Sequence, residues 1–266
     1  MPWKKIRMTG HAFFIALLLA FSAPALSARE VLDFDWDWKF LKEDAPGAQQ
    51  NDFDDRSWRT VNLPHDWSIE GPYSEQWASG TGYLPGGIGW YRKTFPARPD
   101  WKDKTVLIEF DGVYKNSEVW LNGRLLGKRP FGYIGFRYDL TEHLFFGRPN
   151  VLAVRVDHSD FADSRWYTGS GICRHVRLIL TDKVRILPWG IYIHAGPRDN
   201  GKAAVSIETA LLNDRPQTAR IEIVSSIFDS RNQRLFQQRT PQTLSLIHIS
   251  EPTRLLSISY AVFCLK

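Results

Sequence analysis

The sequence predicts an all-β protein, a jelly-roll sandwich followed by part of a second sandwich, and three observations predict it. Helical periodicity is almost absent over the 266 residues. Short stretches of alternating apolar and polar residues recur instead, bounded by Gly, Pro, Asn and Asp. These stretches follow one another too closely for helices to intervene, which argues antiparallel rather than parallel sheets.

Val106-Leu107-Ile108-Glu109-Phe110 puts Val106, Ile108 and Phe110 on one face. Ser117 to Leu121 runs into Asn122-Gly123, a pair suited to a two-residue hairpin because both turn positions require positive φ. Val151 to Asp157 alternates again, with Leu152, Val154 and Val156 on one side, and His175 to Thr181 forms another strand. Between these lies a long Gly-rich and aromatic segment, Glu70 to Trp90. Loops of that length are either functional or packed Ω-loops, and Tyr83 and Trp90 are candidate walls of a substrate-facing loop. A second unit begins near Val184, with strands at Ile191–His194, Ala203–Leu212 and Ala219–Phe228 and a turn at Asn213-Asp214-Arg215-Pro216. Three or four strands are about half of an immunoglobulin-like sandwich, which needs about seven.

Composition supports a real core: 43% of residues are apolar and 14% aromatic, with eleven tryptophans. Such an excess of aromatic rings serves either packing or stacking against flat ligands. Residues 1–28 read as a secretory signal, with Lys4, Lys5 and Arg7 before the apolar run Phe13 to Phe21 and small residues from Ala23 to Ala28. The run is short for a bilayer span, so the expectation is an exported protein, periplasmic or secreted, with no stable membrane span after cleavage. The formal charge is +5. Three of those charges lie in residues 1–28 and a net one in residues 244–266, which leaves +1 for residues 29–243 and no basic field for nucleic acid. Two cysteines, Cys173 and Cys264, do not make a disulfide scaffold.

The composition changes at Leu244. The stretch LSLIHISEPTRLLSISYAVFCLK, residues 244–266, resembles a translated sequencing-library adapter. The expectation is that it is an artefact of a truncated gene and packs against nothing.

Five motifs stand in register: WRTVNLPHDW from Trp58, GWYRKTF from Gly89, FDGVYKNSEVWLNGRLLGKRPFGYIGFRYDLT from Phe110, NVLAVRVD from Asn150 and RWYTGSGICRHVRL from Arg165. Together they resemble the N-terminal, sugar-binding domain of glycoside hydrolase family 2, which includes β-galactosidases, β-glucuronidases and β-mannosidases. The resemblance implies a galactose-binding-like jelly roll over residues 29–185 and part of an immunoglobulin-like domain over residues 186–243. In the family a (β/α)8 barrel follows, with two glutamates acting by retaining double displacement at a carboxyl separation of about 5 Å. The family's barrel motifs are not found here, so the expectation is that no catalytic residue lies in this chain. Asp66 with Glu70 and Glu70 with Glu75 are the near pairs of carboxylates, and a non-catalytic reading is expected for both. Asp66 follows Pro64-His65 and can cap its own turn.

The resemblance also implies that a loop of this domain reaches the substrate. The matching stretch is Asp157 to Gly171, with Asp163, Arg165, Trp166 and Tyr167 as candidate substrate-binding residues and Asp160 as an alternative to Asp163. A carboxylate accepts strong hydrogen bonds from sugar hydroxyls, an arginine orients it or bonds a hydroxyl itself, and Trp and Tyr offer flat faces to a pyranose. Two other uses remain open at this level: Trp166 as core, and Arg165 as a surface partner of Asp163. No cofactor is expected. Gly80 to Gly89 lacks the Lys-Ser/Thr ending of a phosphate loop, and His65 and His158 lack metal-ligand spacing. The resemblance implies a carbohydrate partner with a terminal β-linked sugar. The LPHDW and RWYTGSGI stretches resemble the β-galactosidase branch most, and the full-length enzyme is a candidate homo-oligomer. The alternative is a secreted, non-catalytic carbohydrate-binding module, or a sandwich serving assembly alone.

Overall fold

A computed structural model describes residues 29–160, 164–196, 202–245 and 249–259. The secretory-signal reading therefore lies outside the described residues, as does Cys264. The first unit has ten strands: β1 (Arg29–Asp33), β2 (Trp38–Leu41), β3 (Arg59–Val61), β4 (Gly87–Pro96), β5 (Thr105–Phe110), β6 (Ser117–Leu121), β7 (Arg124–Arg129), β8 (Phe136–Asp139), β9 (Pro149–His158) and β10 (Val176–Thr181). Short 3-10 turns are the only helical pieces among the described residues.

Two antiparallel sheets form the jelly roll. One runs β3-β2-β4-β9-β6-β7 and the other β1-β10-β5-β8. Their inner faces carry the alternating residues read from the sequence. Val106, Ile108, Phe110, Leu152, Val154 and Val156 are all fully buried in one core with Trp38, Phe40 and Tyr91. Removing one such residue leaves a cavity costing about 2–5 kcal/mol for a large-to-Ala change. The β6–β7 hairpin turns at Asn122 and Gly123, with φ of 53° and 82°, as the Asn-Gly pair requires.

The six-stranded sheet is buried on its outer face as well. Residues 42–58 fold over it, and Trp90 packs there with Trp58, Ala48 and Ala153 and stacks on Trp120 with ring centroids 5.3 Å apart. Trp90 is thus 3% exposed. The expectation that it walls a substrate loop is corrected: it sits in β4, and the strand's alternation turns it into this second cluster. Arg92 lies on the same strand at 2% side-chain exposure, held by Asp55 at 2.7 Å and by the Gln50 carbonyl at 2.9 Å.

The second unit contains β11 (Val184–Ala195), β12 (Lys202–Asn213), β13 (Ala219–Phe228), β14 (Arg234–Leu244) and β15 (Ile249–Ser259). These form a β11-β12-β15 sheet and a β13-β14 ribbon. The turn after Asn213 joins strands of different sheets. Asn213 Nδ2 fixes that crossing by donating to the carbonyls of Gln217 at 3.0 Å and Leu244 at 3.3 Å. The expectation that residues 244–266 pack against nothing is corrected. Leu244 is a buried end of β14, and Ile249–Ser259 pairs antiparallel with β12. An unpaired strand edge offers a row of free N–H and C=O groups, which the main chain of another extended segment satisfies whatever its origin.

Candidate functional site

Four connections converge at one end of the jelly roll: 62–86 between β3 and β4, 111–116 with Tyr114 between β5 and β6, 130–135 between β7 and β8, and the described residues 159–160 and 164–175 between β9 and β10. Antiparallel pairing sets this convergence, since Gly87 opening β4 lies opposite His158 closing β9.

The connections are locked together by close backbone approach. A Cβ at Gly80 would stand 2.2 Å from the Ser164 carbonyl oxygen, so only glycine lets the two loops touch. Gly171 has φ +113°, and a Cβ there would meet Tyr91 Oη at 2.2 Å. Its main chain exchanges two hydrogen bonds with Tyr114, at 2.8 and 2.9 Å.

Asp66 is the hub. Its Oδ1 accepts the Ser68 N–H at 3.0 Å, the turn-capping role expected from sequence. The same carboxylate also accepts the Ser170 N–H at 2.8 Å and the Tyr167 hydroxyl through Oδ2, joining two loops a hundred residues apart. Burial, and then the Asp66 carboxylate beside it, raise the Tyr167 phenol well above its ordinary value. Beneath Asp66 runs a buried polar chain: Ser68 Oγ lies 2.6 Å from Ser170 Oγ, and Ser170 Oγ lies 2.7 Å from His158 Nδ1. Sequence reasoning saw Asp66 only as a local cap. The signal that could have found its second role was the presence of LPHDW and YTGSG together among the five motifs.

On this frame Trp166 and Tyr167 face outward. Trp166 is 61% exposed and Tyr167 43% exposed, so the core alternative for Trp166 is not realised. The Trp166 indole N–H donates to Tyr133 Oη at 2.8 Å, and Ser164 Oγ donates to the Trp166 carbonyl at 2.7 Å. A cavity of about 290 Å³ lies beside it, walled by Tyr114, Asn116, Phe131, Tyr133 and Trp166. The Tyr167 hydroxyl is committed to Asp66, which leaves its ring face, rather than its O–H, to a ligand. Arg165 is exposed on the same loop. Asp163 lies outside the described residues. Its alternative, Asp160, pairs with Lys115 at 2.8 Å. Tyr83 is exposed at φ +59° near the same end.

Glu70 is engaged structurally: it binds Arg59 and stands 3.1 Å from His65 Nε2, while His65 Nδ1 lies 2.7 Å from Tyr91 Oη. Burial depresses the His65 pKa below its ordinary value, against the pull of Glu70. The Glu70 carboxylate can only accept, so a neutral ring protonated at Nε2 donates to Glu70 and takes the Tyr91 hydroxyl at Nδ1. Cys173 is half-buried, and burial raises its thiol pKa. Among the described residues no cluster of His, Cys, Asp and Glu could hold a metal ion, and no helix is long and apolar enough to cross a membrane.

The arrangement offers flat aromatic faces on a hydrogen-bonded frame, which suits a pyranose. The sugar binding domain of glycosyl hydrolases family 2 matches residues 31–182. The β-galactosidase BoGH2A of Bacteroides ovatus is 45% identical over 221 residues, 82% of this chain and 26% of that protein. A β-glucuronidase of Formosa agariphila is 33% identical over 235 residues, 77% of this chain and 23% of its own length. A solved family 2 glycosyl hydrolase from Bacteroides cellulosilyticus superposes with TM-score 0.78 at 32% identity, over 88% of this chain and 31% of that one. The chain thus spans about a quarter of the length of these curated relatives. With its motifs, its ten-stranded jelly roll and these matches in agreement, the chain belongs to glycosyl hydrolase family 2 and carries that family's N-terminal sugar-binding domain.

Proposed function

We propose that this chain is the N-terminal part of an exported, retaining β-galactosidase that removes terminal β-linked galactose. The catalytic glutamate pair belongs to a (β/α)8 barrel beyond these residues, and the polypeptide alone hydrolyses nothing. The observation that carries this reading is the loop bearing Trp166 and Tyr167, exposed yet held by Asp66, Tyr133 and the buried serine pair. A preorganised loop of this kind spends little ordering entropy on a sugar. In the whole enzyme Trp166 stacks on the apolar face of the terminal sugar. Asp163 and Arg165 bond its hydroxyls, and Tyr167 sets the loop's position. The similarity to the Bacteroides ovatus β-galactosidase supports galactose, while the similarity to β-glucuronidases makes a uronate the competing sugar. The basic and apolar stretches in residues 1–21 support export to the periplasm or beyond.

The test begins at the source locus, read past codon 243. A frame that continues into a barrel with two strand-end glutamates supports the proposal. A frame that ends first leaves a secreted sugar-binding module. The chain itself, incubated with aryl β-galactoside, is expected to release chromophore at background. Release above background overturns the division of labour. The whole enzyme is expected to prefer the aryl β-galactoside over the aryl β-glucuronide, and the reverse preference replaces galactose with the uronate. Trp166→Ala in that enzyme is expected to raise KM about tenfold, the loss of roughly 1.4 kcal/mol of binding, with melting unchanged.

A further inference from the structure

A second groove lies apart from the Trp166 cavity, where the outer face of the four-stranded sheet meets β11. Its volume is about 540 Å³, and arginines 129, 137 and 174 line it together with Glu109, Asp111 and Trp189. Strand register builds its floor: Arg177 of β10, Glu109 of β5 and Arg137 of β8 stand directly opposite one another across three strands. The two carboxylates are already engaged. Glu109 binds Arg137 Nε and lies 3.7 Å from Arg177, and Asp111 binds Arg177 at 2.7 Å. Four arginines against two carboxylates leave two positive charges in surplus, where residues 29–243 together carry only +1.

Two further observations say that the surplus has unused bonding capacity. Arg129 Nε and Arg137 Nη1 are both buried with no hydrogen-bond partner among the described residues. Trp189 covers the groove at 88% exposure and φ +62°, in the register shift of β11 against β12 between Ile186 and Ile191. The Arg137 guanidinium lies 5.5 Å from the centre of its ring. A large aromatic residue held in the left-handed region and left in solvent is a strained and costly placement. Beside an arginine row it forms a flat apolar face adjoining an anion-binding fork.

We propose that this groove binds an anionic saccharide, with Trp189 under the apolar face of one ring and Arg129 and Arg174 on its carboxylate or sulfate ester. The site is distinct from the Trp166 ring, although Arg174 closes the same 159–175 connection, and it would hold the protein on an acidic glycan. It stands whether or not the whole enzyme proves to be a galactosidase.

Affinity electrophoresis of the chain tests it, in gels containing polygalacturonate, dextran sulfate or neutral dextran. Retardation by polygalacturonate assigns the carboxylate and retardation by dextran sulfate assigns the sulfate ester. Neutral dextran is expected to leave mobility unchanged. Arg174→Gln and Trp189→Ala, both at exposed positions, are each expected to weaken retardation about tenfold with unchanged melting temperature. Trp166→Ala is expected to shift it less than twofold. The proposal is overturned by no retardation in either acidic gel, by retardation that survives both substitutions, or by equal retention on a homopolymeric deoxyoligonucleotide, which would mark a general polyanion patch.

Discussion

Asp66→Ala is the perturbation from which the site's architecture predicts most. The carboxylate takes the main-chain N–H groups of Ser68 and Ser170 at 3.0 and 2.8 Å, and these residues are 3% and 0% exposed. Alanine leaves both donors buried without acceptors, and each such orphan costs about 1–3 kcal/mol. The Tyr167 hydroxyl loses its partner too, but at 43% exposure it turns to water at little cost. The expected loss is about 3 kcal/mol. For a domain of this size each kcal/mol moves Tm by roughly 2–4 °C, so the drop is about 6–12 °C. Asp66→Asn keeps an oxygen for the two N–H groups and loses only the charge assistance, so it is expected to cost about half as much. Asp160→Ala is the control. Its partner is Lys115 and its side chain is 65% exposed, so it is expected to cost less than about 1 kcal/mol. Urea denaturation followed by tryptophan fluorescence measures the order of the three variants, and amide exchange at Ser68 and Ser170 reports the two bonds directly. Asp66→Ala within about 0.5 kcal/mol of the parent, with both amides still protected, would refute the hub.

Three other expectations follow from the same packing. Asp55→Ala strands the Arg92 guanidinium at 2% exposure, and an unpaired buried charge costs about 3–5 kcal/mol; a denaturant midpoint unchanged from the parent would show that the carbonyls of residues 48–53 suffice. Gly171→Ala and Gly87→Ala both place a side chain at positive φ, +113° and +106°, a strain of about 1–3 kcal/mol. Only Gly171 also drives its Cβ to 2.2 Å from Tyr91 Oη, so its variant is expected to be the less stable by a further 1–3 kcal/mol or so, and the reverse order in melting would contradict the packing. The depressed pKa of His65 means that the unfolded chain binds the proton more readily than the folded one. Its contribution to stability is complete above its ordinary value of 6.5 and is lost as pH falls through that value toward the folded one. The parent is expected to lose more stability than His65→Gln between pH 7.5 and 5.5, and parallel slopes in urea titrations would contradict burial of a neutral ring.

The sequence by itself determined the all-β class, the inner faces and the family. Alternation at Val106–Phe110 and Leu152–Val156 encodes which side of a strand is buried, because the side-chain period in a strand is two whatever the neighbours are. Asn122-Gly123 encodes its own hairpin, since positive φ is a local demand. The exposed loop with Arg165, Trp166 and Tyr167 was legible through its motif, although its supports were not. Only the tertiary structure decided that Trp90 belongs to a second cluster under residues 42–58 while Trp166 stands in solvent, for two tryptophans look alike until the chain that covers one of them has folded back. It alone gave Asp66 partners at positions 167 and 170, and gathered arginines from three strands and a loop around Trp189. Those contacts join residues as far as 104 positions apart. Periodicity and turn chemistry describe only what a chain segment does with its near neighbours, and pairing across the sandwich is set by the sheets as a whole.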